Sequence, residues 1–245
     1  MDPSTDAVRI RNVTKIFAGI PVVEDLSLDI PQGCLYVLLG PNGAGKTTTL
    51  RMLVGLTHPD TGTINILGQD VADGYARTNA HIAYLPDEPL LYDLLKPVEY
   101  MDFVAGLWSI EPTVAKRRSE ELLQQFNLWE HRGKLVKSFS RGMRQKLSFA
   151  GAMLHDPKIL ILDEPLTGLD AIAAKQMKDI LQDLVKQGIT IILTTHILDV
   201  AERIADRIGI ISRGKLVEEG SFAELKQKLG NFDNLENLFI RVVGA

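Results

Sequence analysis

An apolar run, Leu35–Leu39, leads directly into Gly40-Pro41-Asn42-Gly43-Ala44-Gly45-Lys46-Thr47-Thr48, and a helical pattern begins at Lys46 and continues to Val54. Residues 40–47 fit G-x-x-x-x-G-K-[ST] in the strand–loop–helix context that motif needs. No other feature of the chain constrains its fold as strongly. Glycines let the backbone curl until several N–H groups point into one concavity. The following helix adds partial positive charge at its N-terminus. Lys46 is placed to neutralise the β- and γ-phosphates of a nucleotide, and the Thr47 hydroxyl to ligate Mg²⁺. Gly40, Pro41, Asn42, Gly43, Ala44, Gly45, Lys46, Thr47 and Thr48 are therefore the candidate phosphate contacts.

A second apolar run, Ile159–Leu162, ends in Asp163 and Glu164 ahead of Pro165. Ligands gather at the carboxyl ends of the strands of a parallel sheet. If the two strands neighbour each other, Asp163 comes close to the phosphate loop and can hold Mg²⁺ directly or through water. Glu164 then faces the attacking water as general base or positioner.

Strand and helix alternate around these motifs. Val8–Phe17, Leu26–Ile30, Thr63–Leu67 and Ile82–Leu85 read as strands, and Pro97–His155 as helices. Within that stretch Val98–Leu107 and Val114–Phe126 carry apolar residues at helical spacing, and Ser140 is placed to cap a helix over 140–154. Ala171–Lys186 and Leu198–Ala205 read as helices between the strands Ile159–Leu162, Thr190–Thr194 and Ile208–Ile211. Such alternation implies βαβ units and a parallel sheet. After Gly220 a short helix and a strand-like end, Leu238–Val243, are expected. The chain is thus an α/β core interrupted by a helical insertion.

The 245 residues suffice for a full core, and a formal net charge of −4 argues against a general nucleic-acid-binding surface. The one cysteine, Cys34, forms no internal disulfide, and a reducing compartment is expected. No secretory leader pattern marks the first residues, and no apolar stretch approaches the roughly 18 residues of a membrane span. His58, His81, His131 and His155 show no metal-ligand spacing.

These motifs, in this order, resemble the ATP-binding subunits of ABC transporters over about residues 6–225. Further positions carry the likeness. Ser140-Arg141-Gly142-Met143 stands where that family has its signature, and Gly168-Leu169-Asp170 resembles the D-loop. His196 resembles the switch histidine, Phe17 the aromatic that stacks on adenine, and Tyr84-Leu85-Pro86-Asp87 the Q-loop. The SRGM signature and the ending Gly214–Gly220 look most like bacterial ABC-2-type subunits. The resemblance implies a P-loop NTPase (RecA-like) α/β core with an antiparallel β subdomain and a helical subdomain inserted at about 88–156. Residues 1–225 would form one ATPase domain, and 226–245 a short tail.

It further implies ATP and Mg²⁺ as ligands. Glu164, Lys46 and His196 would be catalytic, Thr47, Asp87 and Asp163 would be metal ligands, and Asp170 would help join two subunits. Two copies, alike or different, would close around two ATP–Mg²⁺, with Ser140, Arg141, Gly142 and Met143 completing the partner's site. A separate transmembrane permease would hold the chain at the cytoplasmic face of the membrane; no nucleic acid is expected. Leu90–Tyr92 and Trp108 read either as docking contacts or as core.

Three positions depart from the family: Asp87, Arg141, and Met143, which stands where the signature has glutamine. Asp87 stands where Gln is usual, which keeps a metal-binding oxygen but loses an amide donor; alternatively Asp87 points at a neighbour. Arg141 replaces a glycine and reads equally as a phosphate or subunit contact, or as a solvated helix-start residue. These departures motivate a second reading, a nucleotide-gated module with feeble turnover. A soluble ATPase working on DNA or ribosomes is disfavoured, because the long coiled-coil insertion or doubled ATPase domain usual there is missing.

Overall fold

The computed structural model describes residues 6–230 and 232–244; the start of the chain, where no leader pattern was found, lies outside them. In chain order the strands are β1 Asp6–Phe17, β2 Ile20–Pro31, β3 Leu35–Leu39, β4 Thr61–Ile66, β5 Gln69–Asp70, β6 Ile82–Leu85, β7 Ile159–Asp163, β8 Thr190–Thr195, β9 Arg207–Ser212 and β10 Lys215–Gly220. The helices are α1 Lys46–Leu53, α2 Tyr75–Asn79, α3 Pro97–Leu107, α4 Pro112–Gln125, α5 Arg141–Met153, α6 Ala171–Lys186, α7 Leu198–Ile204, α8 Phe222–Leu229 and α9 Leu235–Val243.

The strands form two sheets. One is antiparallel, in the order β2-β1-β4-β5; the other runs β10-β9-β3-β8-β7-β6 and is parallel except for β10. Every residue of β3, β7 and β8 is buried. A parallel sheet covered on both faces needs such unbroken apolar runs. Alternate residues serve separate cores. Leu35, Val37 and Leu39 join one core with Leu160, Leu162, Ile191 and Leu193, whereas Tyr36 and Leu38 join the other with Ile159, Ile161 and Ile192. Each Leu or Ile so buried contributes about 1.5–3 kcal/mol.

The first core is shared with the helical stretch. Met101, Leu123, Phe126, Leu147 and Phe149 of α3–α5 and the loop after α4 are buried in it. The second core lies under β1, β2, α1 and β4.

The tail differs from the strand expected over Leu238–Val243: it is helix α9. Leu235, Leu238, Phe239 and Val242 fall at helical spacing, with Leu235 and Leu238 buried in the first core. Asn234 caps the helix through Asn237 N–H at 2.9 Å. The β-branched residues near its end suggested a strand; tertiary burial of the helical stripe outweighs that preference.

The sheet order also departs from the simple neighbour arrangement. β8 lies between β3 and β7. Leu39 pairs with Thr195 and Asp163 with Thr194, so all three strands end at one edge. α1 reaches across β8 and packs against β7.

Candidate functional site

The phosphate loop is fixed by what its glycines leave out. Gly45 adopts φ 105° at the N-terminus of α1, and a side chain there would strike the Val22 carbonyl. One at Gly40 would strike the Ile211 carbonyl. The turn before β10 pins the loop from outside, as Gly214 N–H donates to Ala44 O at 3.0 Å and Gly214 O accepts from Glu24 N–H at 2.9 Å. Asn42, Gly43, Ala44, Gly45, Lys46, Thr47 and Thr48 line a cleft of about 270 Å³ with Val22, Asp87 and Glu164.

The Lys46 ammonium is 7% exposed and donates to Gly40 O at 2.8 Å and Pro41 O at 3.3 Å. It also lies 3.7 Å from Glu164 Oε1. Thr47 Oγ1 donates to Asp163 Oδ1 at 3.1 Å, and Thr194 Oγ1 donates to the same oxygen at 2.6 Å. Glu164 stands at φ 49°, in the left-handed region, just past the end of β7. Its N–H donates to Thr194 O at 3.2 Å and Thr194 Oγ1 at 3.1 Å. That kink turns the side chain toward the cleft. Thr167 Oγ1 donates to Glu164 Oε2 at 3.3 Å, and His196 Nδ1 lies 3.0 Å from the same oxygen. An ionised carboxylate only accepts, so Nδ1 carries the proton.

Asp87 faces the same cleft. Partial burial raises its pKa above the ordinary Asp value, as do the charges of Asp163 and, to a lesser extent, Glu164; Arg141 opposes the rise. The rise reflects acidic groups brought together at one site. Among the described residues no group of three or more His, Cys, Asp or Glu could hold a metal by itself. The Thr47 hydroxyl and the Asp163 and Asp87 carboxylates are hard oxygen donors. Such an incomplete set fits Mg²⁺, which keeps waters and takes its remaining ligands from substrate phosphates.

The other expected residues lie outside the cleft. Phe17 is 47% exposed where β1 turns into β2, with the Lys15 ammonium 5.3 Å from its ring centre. Ser140 caps α5, its Oγ accepting from Met143 N–H at 3.3 Å. Arg141 has a contact that neither reading of it anticipated: its guanidinium lies over Gly168, so tightly that a Cβ there would overlap it. Gly142 packs toward Ala173 and Leu169. Asp170 caps α6, accepting from Ala173 N–H at 2.7 Å. Residues 140–142 and 168–170 therefore form one surface. Cys34 is buried, and desolvation pushes its thiol up to about 11, consistent with an inert core position.

The sequence reading missed Thr194 and Thr167. Thr194 stands two residues before His196 at a strand end, and Thr167 three residues after Glu164. Either spacing could have marked them, although hydroxyls there are also ordinary turn residues. The exposure of Leu90 (87%) and Trp108 (41%) decides against core packing for both. They line a groove of about 460 Å³ with Tyr84, Leu85 and Leu56, and the Trp108 ring stacks on His155 at 3.8 Å. Burial holds the His155 pKa below its usual value, partly offset by its bond to Ile82 O.

The family model described as ABC transporter matches residues 23–167. The daunorubicin/doxorubicin resistance ATP-binding protein DrrA of Streptomyces peucetius is 38% identical over 227 residues, covering 93% of this chain and 69% of that protein. The bacitracin transport ATP-binding protein BcrA of Bacillus licheniformis is 38% identical over 222 residues, covering 90% and 72%. A solved ATP-binding subunit of an ABC transporter superposes with a TM-score of 0.88 at 30% identity, over 96% of this chain and 99% of that one. The cbiO1 protein of Clostridium perfringens, part of the transporter complex cbiONQ, shares the fold with a TM-score of 0.84 at 22% identity, over 91% and 92%.

Proposed function

This chain belongs to the ABC transporter family, as an ATP-binding subunit with ATPase activity coupled to transport, and from that membership we propose that the cleft at the ends of β3, β7 and β8 is its hydrolytic site. The observation that carries this reading is the convergence of Thr47 on Asp163 and of Lys46 and His196 on Glu164, the two acids being joined through Thr194.

The loop N–H groups and the Lys46 ammonium receive the β- and γ-phosphates. An entering phosphate competes with Glu164 and the two loop carbonyls for Lys46, which frees the carboxylate. Thr47, Asp163 and Asp87 are the residues that hold Mg²⁺, which when bound offsets phosphate charge. Glu164 orients the attacking water and accepts its proton. His196 and Thr167 fix the rotamer of Glu164 through Oε2, and Phe17 offers a ring face to adenine. Replacing Glu164 by Gln removes the proton acceptor while keeping the shape. Turnover should collapse with ATP affinity intact, and unchanged turnover would contradict the assignment.

A second subunit completes the site. Support comes from Ser140, Arg141, Gly142 and Met143, which do not line this chain's own cleft although Ser140 and Gly142 present a hydroxyl and N–H groups at a helix start. The adjoining Asp170 turn belongs to the same contact. Residues 1–225 act as the ATPase unit with α3–α5 as its inserted lobe, and 226–245 as a tail whose Leu235 and Leu238 are buried in the first core.

Among the described residues no helix is long and apolar enough to cross a membrane. We place the chain at the cytoplasmic face, with the groove bearing Leu90, Trp108 and Leu56 receiving a segment of a transmembrane subunit. Exposed aromatic and aliphatic side chains around a concave surface suit such an anchor.

A further inference from the structure

A second hollow, of about 540 Å³, lies between α3 and α4, away from the phosphate cleft. Its origin is readable in the two helices. α3 turns Val98, Asp102, Ala105 and Gly106 toward it, and α4 turns Ala115, Lys116, Ser119 and Glu120. Both sets recur at helical spacing, so each is one stripe. The residues at the centre of both stripes are small, which leaves open a space that larger side chains would fill. The volume is in the range of small-molecule sites.

Two observations point to a ligand. Ser119 lines the hollow, is 6% exposed, and its Oγ has no hydrogen-bond partner among the described residues. A buried hydroxyl without a partner is unfavourable, and a ligand atom would relieve it. Asp102 and Glu120 line the hollow and are exposed to solvent, Glu120 Oε1 accepting from Gln124 Nε2 at 3.3 Å, so two carboxylates stand in its lining beside the ammonium of Lys116. The indole of Trp129 closes one side; the Arg132 guanidinium lies over that ring, 4.5 Å from its centre, and is a cation that the two carboxylates must outweigh.

We propose that this hollow binds a small amphipathic organic cation, its apolar body against Val98, Ala105 and Ala115, its ammonium beside Asp102 and Glu120, and a polar atom on the Ser119 hydroxyl. The site is independent of the hydrolytic cleft. It is separated only by α3 from the groove of Trp108, since Tyr100 and Val104 on the other side of that helix line the groove.

The test uses two probes of nearly equal size, 1-naphthylmethylammonium and the neutral 1-naphthylmethanol, on the full chain. The chain has two tryptophans, so Trp108→Phe leaves Trp129 as the sole reporter and its fluorescence localises binding to this hollow. The ammonium should quench Trp129 saturably at one equivalent, at least fivefold more tightly than the alcohol. Gly106→Leu should weaken both probes tenfold or more, because a Cβ at Gly106 meets no atom within 4 Å and the side chain is free to enter the hollow. The surface double variant Asp102→Asn/Glu120→Gln, which leaves the packed core untouched, should bring the ammonium down to the affinity of the alcohol. Absence of saturable quenching, equal affinity for the two probes, or full binding in Gly106→Leu would each overturn the proposal.

Discussion

The phosphate cleft and the surface built by Ser140–Met143 and Gly168–Asp170 use the same device, a helix N-terminus, to opposite effect. In the cleft, α1 begins inside a ring of partners. Lys46 is buried, Thr47 is bonded to Asp163, and Glu164 is held by Lys46, Thr167 and His196. On the other surface, Ser140 and Asp170 do no more than cap their own helices. Arg141 lies across Gly168, and its charge reaches the cleft only at Asp87, whose raised pKa it opposes. On the proposed reading the first region is a finished half of an anion site, and the second is a half that a second subunit completes. Ion-binding chemistry needs both depth and convergence, and only the cleft has them.

The comparison breaks most visibly at Glu164. Glu164→Gln should cut steady-state ATP turnover by about two to four orders of magnitude, the range for losing a general base, with ATP affinity within about twofold. A phosphate-release assay alongside nucleotide titration checks both. Lys46→Ala should next weaken ATP binding by about 10- to 100-fold, as expected for losing a charge-assisted contact. Unaltered affinity would remove Lys46 from the phosphate site. Ser140→Ala should leave ATP binding to the isolated chain unchanged yet lower turnover, since its hydroxyl acts on the opposite subunit's nucleotide. A matching loss of single-chain affinity would place Ser140 in its own cleft and erase the contrast between the two regions.

The smallest effect concerns Asp87. Its pKa is raised in the folded chain by partial burial and by Asp163 and Glu164. A carboxyl raised in the folded state lowers stability once the pH exceeds its unfolded pKa, and the loss is complete above the folded pKa. The cost is therefore complete at pH 7 and fades as pH falls through the folded value toward about 3.9. Asp87→Asn should raise Tm by no more than about 2 °C at pH 7, with the gain shrinking as the pH falls toward about 3.9. A gain that grows on acidification would contradict the direction. Asp87 is mostly exposed, which keeps the effect small.

Much of this organisation was legible because it rests on local rules. The loop from Gly40 to Thr47 dictates its own strand and helix, and Ile159–Leu162 declares a buried strand by unbroken apolarity. Ser140 as a helix cap followed from the residue type and its place before an amphipathic run. Other features depend on what the chain meets far away. No local pattern reveals that β8 intervenes between β3 and β7, so the approach of Asp163 to Thr47 comes from α1 crossing β8 rather than from adjacent strands. Thr194 and Thr167 matter only because Asp163 and Glu164 come to rest beside them. The end of the chain has both β-branched residues and a helical stripe, and burial of Leu235 and Leu238 decides for the helix.

The central claim is that the finished cleft and the unfinished surface are two parts of one site shared between copies. The most direct test is the molecular mass in solution of the Glu164→Gln chain by light scattering, with and without saturating ATP and Mg²⁺. The account predicts a monomer without nucleotide and a dimer with it, the dimer being lost when Ser140→Ala is added. A chain that binds ATP to saturation and stays monomeric would contradict it.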